Sequence, residues 1–299
     1  MTRQLVLVHG RGQQRKDARA IKREWLDALG EGLAKSGLTL PIPEEDVRFP
    51  FYGDTLDDLV SGSDDVADVI VRGQPSDDDE RRFIRAVLEE VRTVAGISED
   101  ELVEVAGEEV LERGPLNWSW VQAILQVIDR HVPYGSATSI ALATRDVYHY
   151  LTNSAASRAI DEGVAGALSP EREAVVVAHS LGSVVAYQVL RTFGAERGWT
   201  VPLFMTVGSP LGVEQIRRYV RRTGPARVPA CVTRWENVMD ERDVVALYPL
   251  TADHFPLDPA DPAVVNRTDL SNRTPNRHGI GGYLDDAGVA RAIHDALVR

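Results

Sequence analysis

The sequence predicts an α/β fold: a mainly parallel central sheet with helices on both faces and a helical insertion. Short apolar runs recur at Gln4–Val8, Ala174–Val177 and Val201–Val207, as strands buried on both faces require. Stretches of helical period lie between them, and strand–helix–strand order calls for parallel neighbours. The sharpest local pattern is residues 174–187, Ala-Val-Val-Val-Ala-His-Ser-Leu-Gly-Ser-Val-Val-Ala-Tyr. A buried strand there passes through a tight turn into a helix, with Ser180 at the apex.

Bulk properties bound the rest. A chain of 299 residues fills one large α/β domain, and we read 1–299 as a single domain. The net charge of −12 argues against nucleic acid and anionic lipid as partners. The lone cysteine, Cys231, forbids an intramolecular disulfide, reads as a core residue and suits a reducing compartment. Met1-Thr2-Arg3 runs straight into a strand without the regions of a signal peptide, and no apolar run is long enough to span a bilayer. The expectation is a cytoplasmic chain with no integral membrane segment, on which the triplets at Asn117, Asn266 and Asn272 carry no glycan. No zinc-like spacing is present, and no metal or organic cofactor is implied. The oligomeric state is not written in the sequence.

In chain order, the first strand ends in His9-Gly10-Arg11-Gly12. Ile21, Trp25, Leu29 and Leu33 then mark a helix over 15–36, stopped by Gly37, and Asp46–Tyr52 reads as the second strand. Residues 53–80 are acidic and read as a solvated loop, since consecutive aspartates without a glycine-centred loop are a poor calcium site. Three helices follow. One covers 79–95, one starts at Ser98 with Glu101 completing a capping box, and one starts at Pro115 with Trp118, Val121, Leu125 and Ile128 along a face. Trp118 and Trp120 read as packing residues. Residues 54–135 thus form a helical insertion, and helices over 139–150 and 155–168 return the chain to the strand before Ser180. Val201–Val207 runs into Gly208-Ser209-Pro210, the arginine-rich 213–222 reads as a solvated helix, and Ala230–Val238 is the last clear strand. A helix over Gly288–Val298 closes the chain.

The turn at Ser180 has small residues two before and two after, Ala178 and Gly182, where crossing backbones crowd. That context fits an exposed nucleophile, and it also fits an ordinary strand–helix turn containing a serine. Val-Ala-His-Ser-Leu-Gly-Ser-Val-Val-Ala-Tyr resembles the nucleophile elbow of lipase- and esterase-like α/β-hydrolases, with Ala178 in place of the usual first glycine. Within that superfamily it is most similar to the serine hydrolases related to GPI-inositol deacylase and to bacterial lipase-like hydrolases. The resemblance covers the core strands well and 54–135 poorly.

The resemblance implies a role for each candidate residue. Ser180 would be the nucleophile. The backbone N–H of Leu181 and, after the His-Gly pair, that of Arg11 would form the oxyanion hole. Arg11 departs from the smaller or apolar residue expected there, and a plain glycine-rich turn is the alternative for that loop. The acid follows the serine in chain order and the histidine comes last. The acid therefore falls in Met239–Val245, where Asp243 precedes two valines as in the family's Asp-Pro-Val, though without the proline. Asp240 stays open as the alternative. His278, in His-Gly-Ile-Gly-Gly-Tyr before the last helix, is the favoured base, with His254 second and His294 within a helix. His131 and His149 precede the serine and read as structural, and Ser209, followed by proline, suits a loop role.

The expected function is cleavage of a small-molecule carboxylic ester through an acyl-enzyme. Amide cleavage, acyl transfer and a silent binding protein on the same fold are the alternatives. Apolar stripes on the helices from Asp79 to Arg130 further suggest a cap over the site; packing on a flank of the sheet is the competing arrangement.

Overall fold

A computed structural model of the chain describes residues 3–13, 16–54, 78–107, 118–131 and 137–298. Most of the acidic stretch and the helix start at Pro115 therefore lie outside the described residues. Among the described residues, six parallel strands form one sheet: β1 (Gln4–Val8), β2 (Val47–Arg48), β3 (Ala174–His179), β4 (Leu203–Val207), β5 (Trp235–Val238) and β6 (Val265–Arg267), in the order β2-β1-β3-β4-β5-β6. Val8 pairs with Ala178, His179 with Val207 and Val207 with Val238. The carboxyl ends of the four central strands therefore finish level, and the loops leaving them share one edge of the sheet.

Alternation along the strands sends side chains into two cores. Leu5, Leu7, Val175, Val177, Leu203 and Met205 pack against α1 (Ala18–Ala34) and α8 (Ala287–Val298). Val6, Val8, Val176, Ala178 and Phe204 face the other way. Burying each Val, Leu, Met or Phe side chain among these contributes about 1.5–3 kcal/mol. The second face is covered by α2 (Asp78–Val94), α3 (Glu99–Ala106), α4 (Trp118–His131), α5 (Ala137–Thr152), α6 (Ser154–Ala165) and α7 (Leu181–Phe193). Phe83, Leu88, Ile124, Ile140 and Tyr148 from this layer join the same cluster as Val6 and Val184.

Local signals explain the helix ends. Asp17 caps α1 by accepting from Arg19 N at 2.7 Å, and Asn153 caps α6 through Ala155 N at 3.0 Å. The capping box at α3 is formed, with Ser98 Oγ accepting from Glu101 N and Glu101 Oε2 from Ser98 N. Trp120 is buried with the Arg85 guanidinium 4.5 Å over its ring. No helix among the described residues is long and apolar enough to cross a membrane.

Two strands are shorter than their apolar runs, and one was not expected. Of Asp46–Tyr52 only Val47–Arg48 pairs, because Pro50 has no N–H to donate and Phe49 and Tyr52 turn inward onto His9. Of Ala230–Val238 only Trp235–Val238 is a strand; Val232 makes a single bridge to Val201. The sheet also extends to β6, a short edge strand whose Val265 is half exposed and whose burial gives no alternating pattern.

Candidate active site

Ser180 joins β3 to α7 with φ 56° and ψ −130°, and it is the one non-glycine residue with positive φ among the described residues. Such a conformation costs on the order of 1–3 kcal/mol and persists only where the surroundings enforce it. Here Ser180 N donates to Val207 O at 3.2 Å, and Ser180 O accepts from Ser183 N and Ser183 Oγ at 2.9 and 2.6 Å. Gly182 is equally constrained. A Cβ there would lie 2.5 Å from Val8 O and also against His9 O, so α7 can start this close to β1 only without a side chain. Gly182→Ala is expected to lower stability by roughly 2–4 kcal/mol, read from the denaturant midpoint. An unchanged midpoint would mean that β1 and α7 separate freely.

His278 Nε2 lies 2.8 Å from Ser180 Oγ, and its Nδ1 lies 2.8 Å from Asp243 Oδ2. In this arrangement Nδ1–H donates to the carboxylate and Nε2 accepts from the hydroxyl. Asp243 is fully buried and also accepts from the Tyr283 hydroxyl at 2.7 Å and from Val245 N at 2.9 Å. Burial pushes its carboxyl up, but His278, Tyr283 and the Val245 amide together hold it below the ordinary carboxylate value. Gly208, at φ 57°, leaves room for the pair: a Cβ there would sit 3.1 Å from Asp243 Oδ2 and 3.2 Å from His278 Nδ1.

The imidazole of His278 is fixed from behind by His179. His179 Nε2–H donates to the His278 carbonyl at 2.8 Å, and the two rings lie 4.7 Å apart. Burial, reinforced by the neighbouring His278, drives the His179 pKa down to about 3, so this ring stays neutral. His9 is neutral for the same reason, its pKa lowered to about 4 by burial. Its Nδ1–H donates to Gly10 O at 2.6 Å, its Nε2 accepts from Tyr52 N at 3.2 Å, and the Tyr52 hydroxyl donates to its carbonyl. The loop so anchored touches the serine, for a Cβ on Gly10 would lie 2.8 Å from Ser180 Cβ. Among the described residues, neither the Arg11 nor the Leu181 N–H has a hydrogen-bond acceptor.

The other candidates stand apart from this chain. Asp240 is held by Arg242 Nη2 and Asn272 N, both at 2.7 Å, and braces two loops. His254 stacks on Tyr248 at 4.1 Å, and its carbonyl accepts from Arg217 Nη1 at 2.6 Å. His294 Nδ1 lies 3.4 Å from Asp295 Oδ1. Ser209 is buried 2.7 Å from Ser183 Oγ and caps a short turn through Leu211 N. Nothing in the sequence assigns Tyr283 or His179 a separate role, although both sit beside residues with one. Asn272 stands out in the sequence only as part of an Asn-x-Ser/Thr triplet; it is fully buried and donates to Arg277 O and Gly279 O around His278.

A narrow apolar cavity adjoins Ser180. Val87 of α2 and Ile140, Ala143, Thr144 and Val147 of α5 wall it on one side; Pro210, Val213, Ile216, Val244, Val245 and Leu247 complete it. Thr144 Oγ1 donates to Ile140 O, which leaves the walls apolar. Of the described helices between Asp79 and Arg130, α2 alone lines the cavity, while α5, beyond the expected insertion, contributes most of the helical wall. Leu125 of α4 is buried in the helical layer without lining the cavity, and the side chain of Trp118 lies outside the described residues.

No family model, curated protein or solved structure matches the chain. Its chemistry therefore rests on the residues themselves. A hydroxyl beside a neutral imidazole, itself held by a buried carboxylate, can lose its proton as it attacks an electrophile. Free amides at a helix start next to that hydroxyl can hold the negative oxygen that results. Among the described residues, no group of three or more His, Cys, Asp or Glu side chains could hold a metal ion.

Proposed function

We propose that the protein is a serine hydrolase of carboxylic esters with an apolar acyl group. The observation that carries this reading is the continuous hydrogen-bonded chain Ser180 Oγ–His278–Asp243 at a strained strand-to-helix turn. His278 takes the Ser180 proton as Oγ attacks the ester carbonyl, and the amides of Arg11 and Leu181 bind the oxyanion. The tetrahedral intermediate collapses, the alcohol leaves with the proton from His278, and the acyl group stays on Ser180. Water, deprotonated by the same imidazole, then releases the carboxylic acid. The acyl chain lies in the cavity, with α2 and α5 as its cap. A fluorophosphonate probe tests the reading: the adduct is expected on Ser180, located by peptide mapping. Labelling at Ser209, or none on folded protein, would overturn it.

The cavity gives a second check. Val147→Phe is expected to shift the kcat/KM ratio for p-nitrophenyl butyrate over octanoate by about 10-fold or more towards the shorter chain. Leu125→Ala, away from the wall, is expected to lower stability by about 2–4 kcal/mol and leave that ratio unchanged. A shifted ratio in Leu125→Ala with none in Val147→Phe would place the acyl chain elsewhere.

A further inference from the structure

We propose that Asp146 is a positioning residue that, through its ion pair with Arg11, fixes the Arg11 amide where the oxyanion forms. The inference rests on the serine-hydrolase reading above. Arg11 Nε lies 2.6 Å from Asp146 Oδ2, with the two side chains 23% and 13% exposed. The pair bridges the loop against Ser180 and helix α5. Upstream, that loop is anchored by His9 and Tyr52. Downstream it has fewer ties: Gly12 has φ 72° and open space where a Cβ would be, and among the described residues the Arg11 carbonyl accepts only from nearby Gln13. Among the described residues, the Arg11–Asp146 pair is the polar tie between residues 11–13 and any other element.

Burial raises the Asp146 carboxyl above its ordinary value and outweighs the opposing pull of Arg11, so without that guanidinium the carboxylate would be a buried, unpaired charge. A displacement of about 1 Å in a group that meets the reacting atoms can cost about 10²-fold in rate. This gives Arg11 a purpose where the resemblance expects a smaller or apolar residue. The side chain clamps while the backbone donates. Asp146 also sits on α5 between Thr144 and Val147, both cavity walls, so one rigid helix sets the acyl pocket and the oxyanion donor together.

The test is kinetics of Asp146→Asn, Arg11→Met and Arg11→Lys on a p-nitrophenyl ester, beside Ser180→Ala. Asp146→Asn and Arg11→Met are expected to lose about 10- to 100-fold in kcat with KM within about twofold, and Arg11→Lys to recover part of the loss. Affinity for a trifluoromethyl ketone, whose adduct carries the oxyanion, should fall in step with kcat/KM, while inhibition by the product acid stays unchanged. Wild-type kcat in both Asp146→Asn and Arg11→Met, or equal losses for ketone and acid, would overturn the proposal. If Asp146→Asn fails to fold, Arg11→Met decides, since its stem can occupy the same partly exposed position. An inert Ser180→Ala beside fully active clamp variants removes only the positioning role. An active Ser180→Ala removes the hydrolase reading itself.

Discussion

Ser180→Ala and His278→Ala are each expected to lower turnover of an ester substrate by about 10⁶-fold, because the pair acts as one unit. Without Oγ there is no nucleophile, and without Nε2 at 2.8 Å there is no acceptor for its proton. The two losses should not add: the double variant should be no slower than either single one. Melting curves close to wild type would tie the loss to chemistry. Loss of activity in Ser180→Ala with full activity in His278→Ala would point to another base.

Asp243→Asn is the second large effect, at about 10⁴-fold in kcat. The carboxylate accepts the Nδ1–H of His278 and so presents the bare Nε2 to the serine. An asparagine amide can donate to Nδ1 instead, which moves the ring proton to Nε2 and leaves no acceptor for the hydroxyl. Asp240→Asn is the matched control, with a small effect on turnover and a larger one on stability, because Arg242 and the Asn272 amide both rely on that carboxylate. If Asp240→Asn were crippled and Asp243→Asn active, the acid would move to the start of the same loop.

The elements legible in the sequence were those whose signals are local. β1 and β3 are continuous apolar runs paired over their length, and the α3 capping box and the Ser180 turn are written in neighbouring residues. What stayed hidden depends on tertiary contact. β6 is three residues long and pairs on one side only, so burial imposes no pattern on it. Asp240 and Asp243 share a loop and differ in which one meets His278, a contact across a sequence separation of 35. The cavity wall fell to α5 rather than α4 because both carry apolar faces, and only packing decides which turns toward Ser180.

The level strand ends have a consequence for how the molecule assembles. Ser180 and His278 are 98 residues apart, and β1 finds its neighbour β3 only after the helical layer has been traversed. Contacts of such sequence separation form late, since each must close a long loop before it is rewarded. During refolding, helical circular dichroism should therefore return first, and the capacity to react with a fluorophosphonate should return in a later, slower phase, when the segment carrying His278 docks onto the finished edge of the sheet.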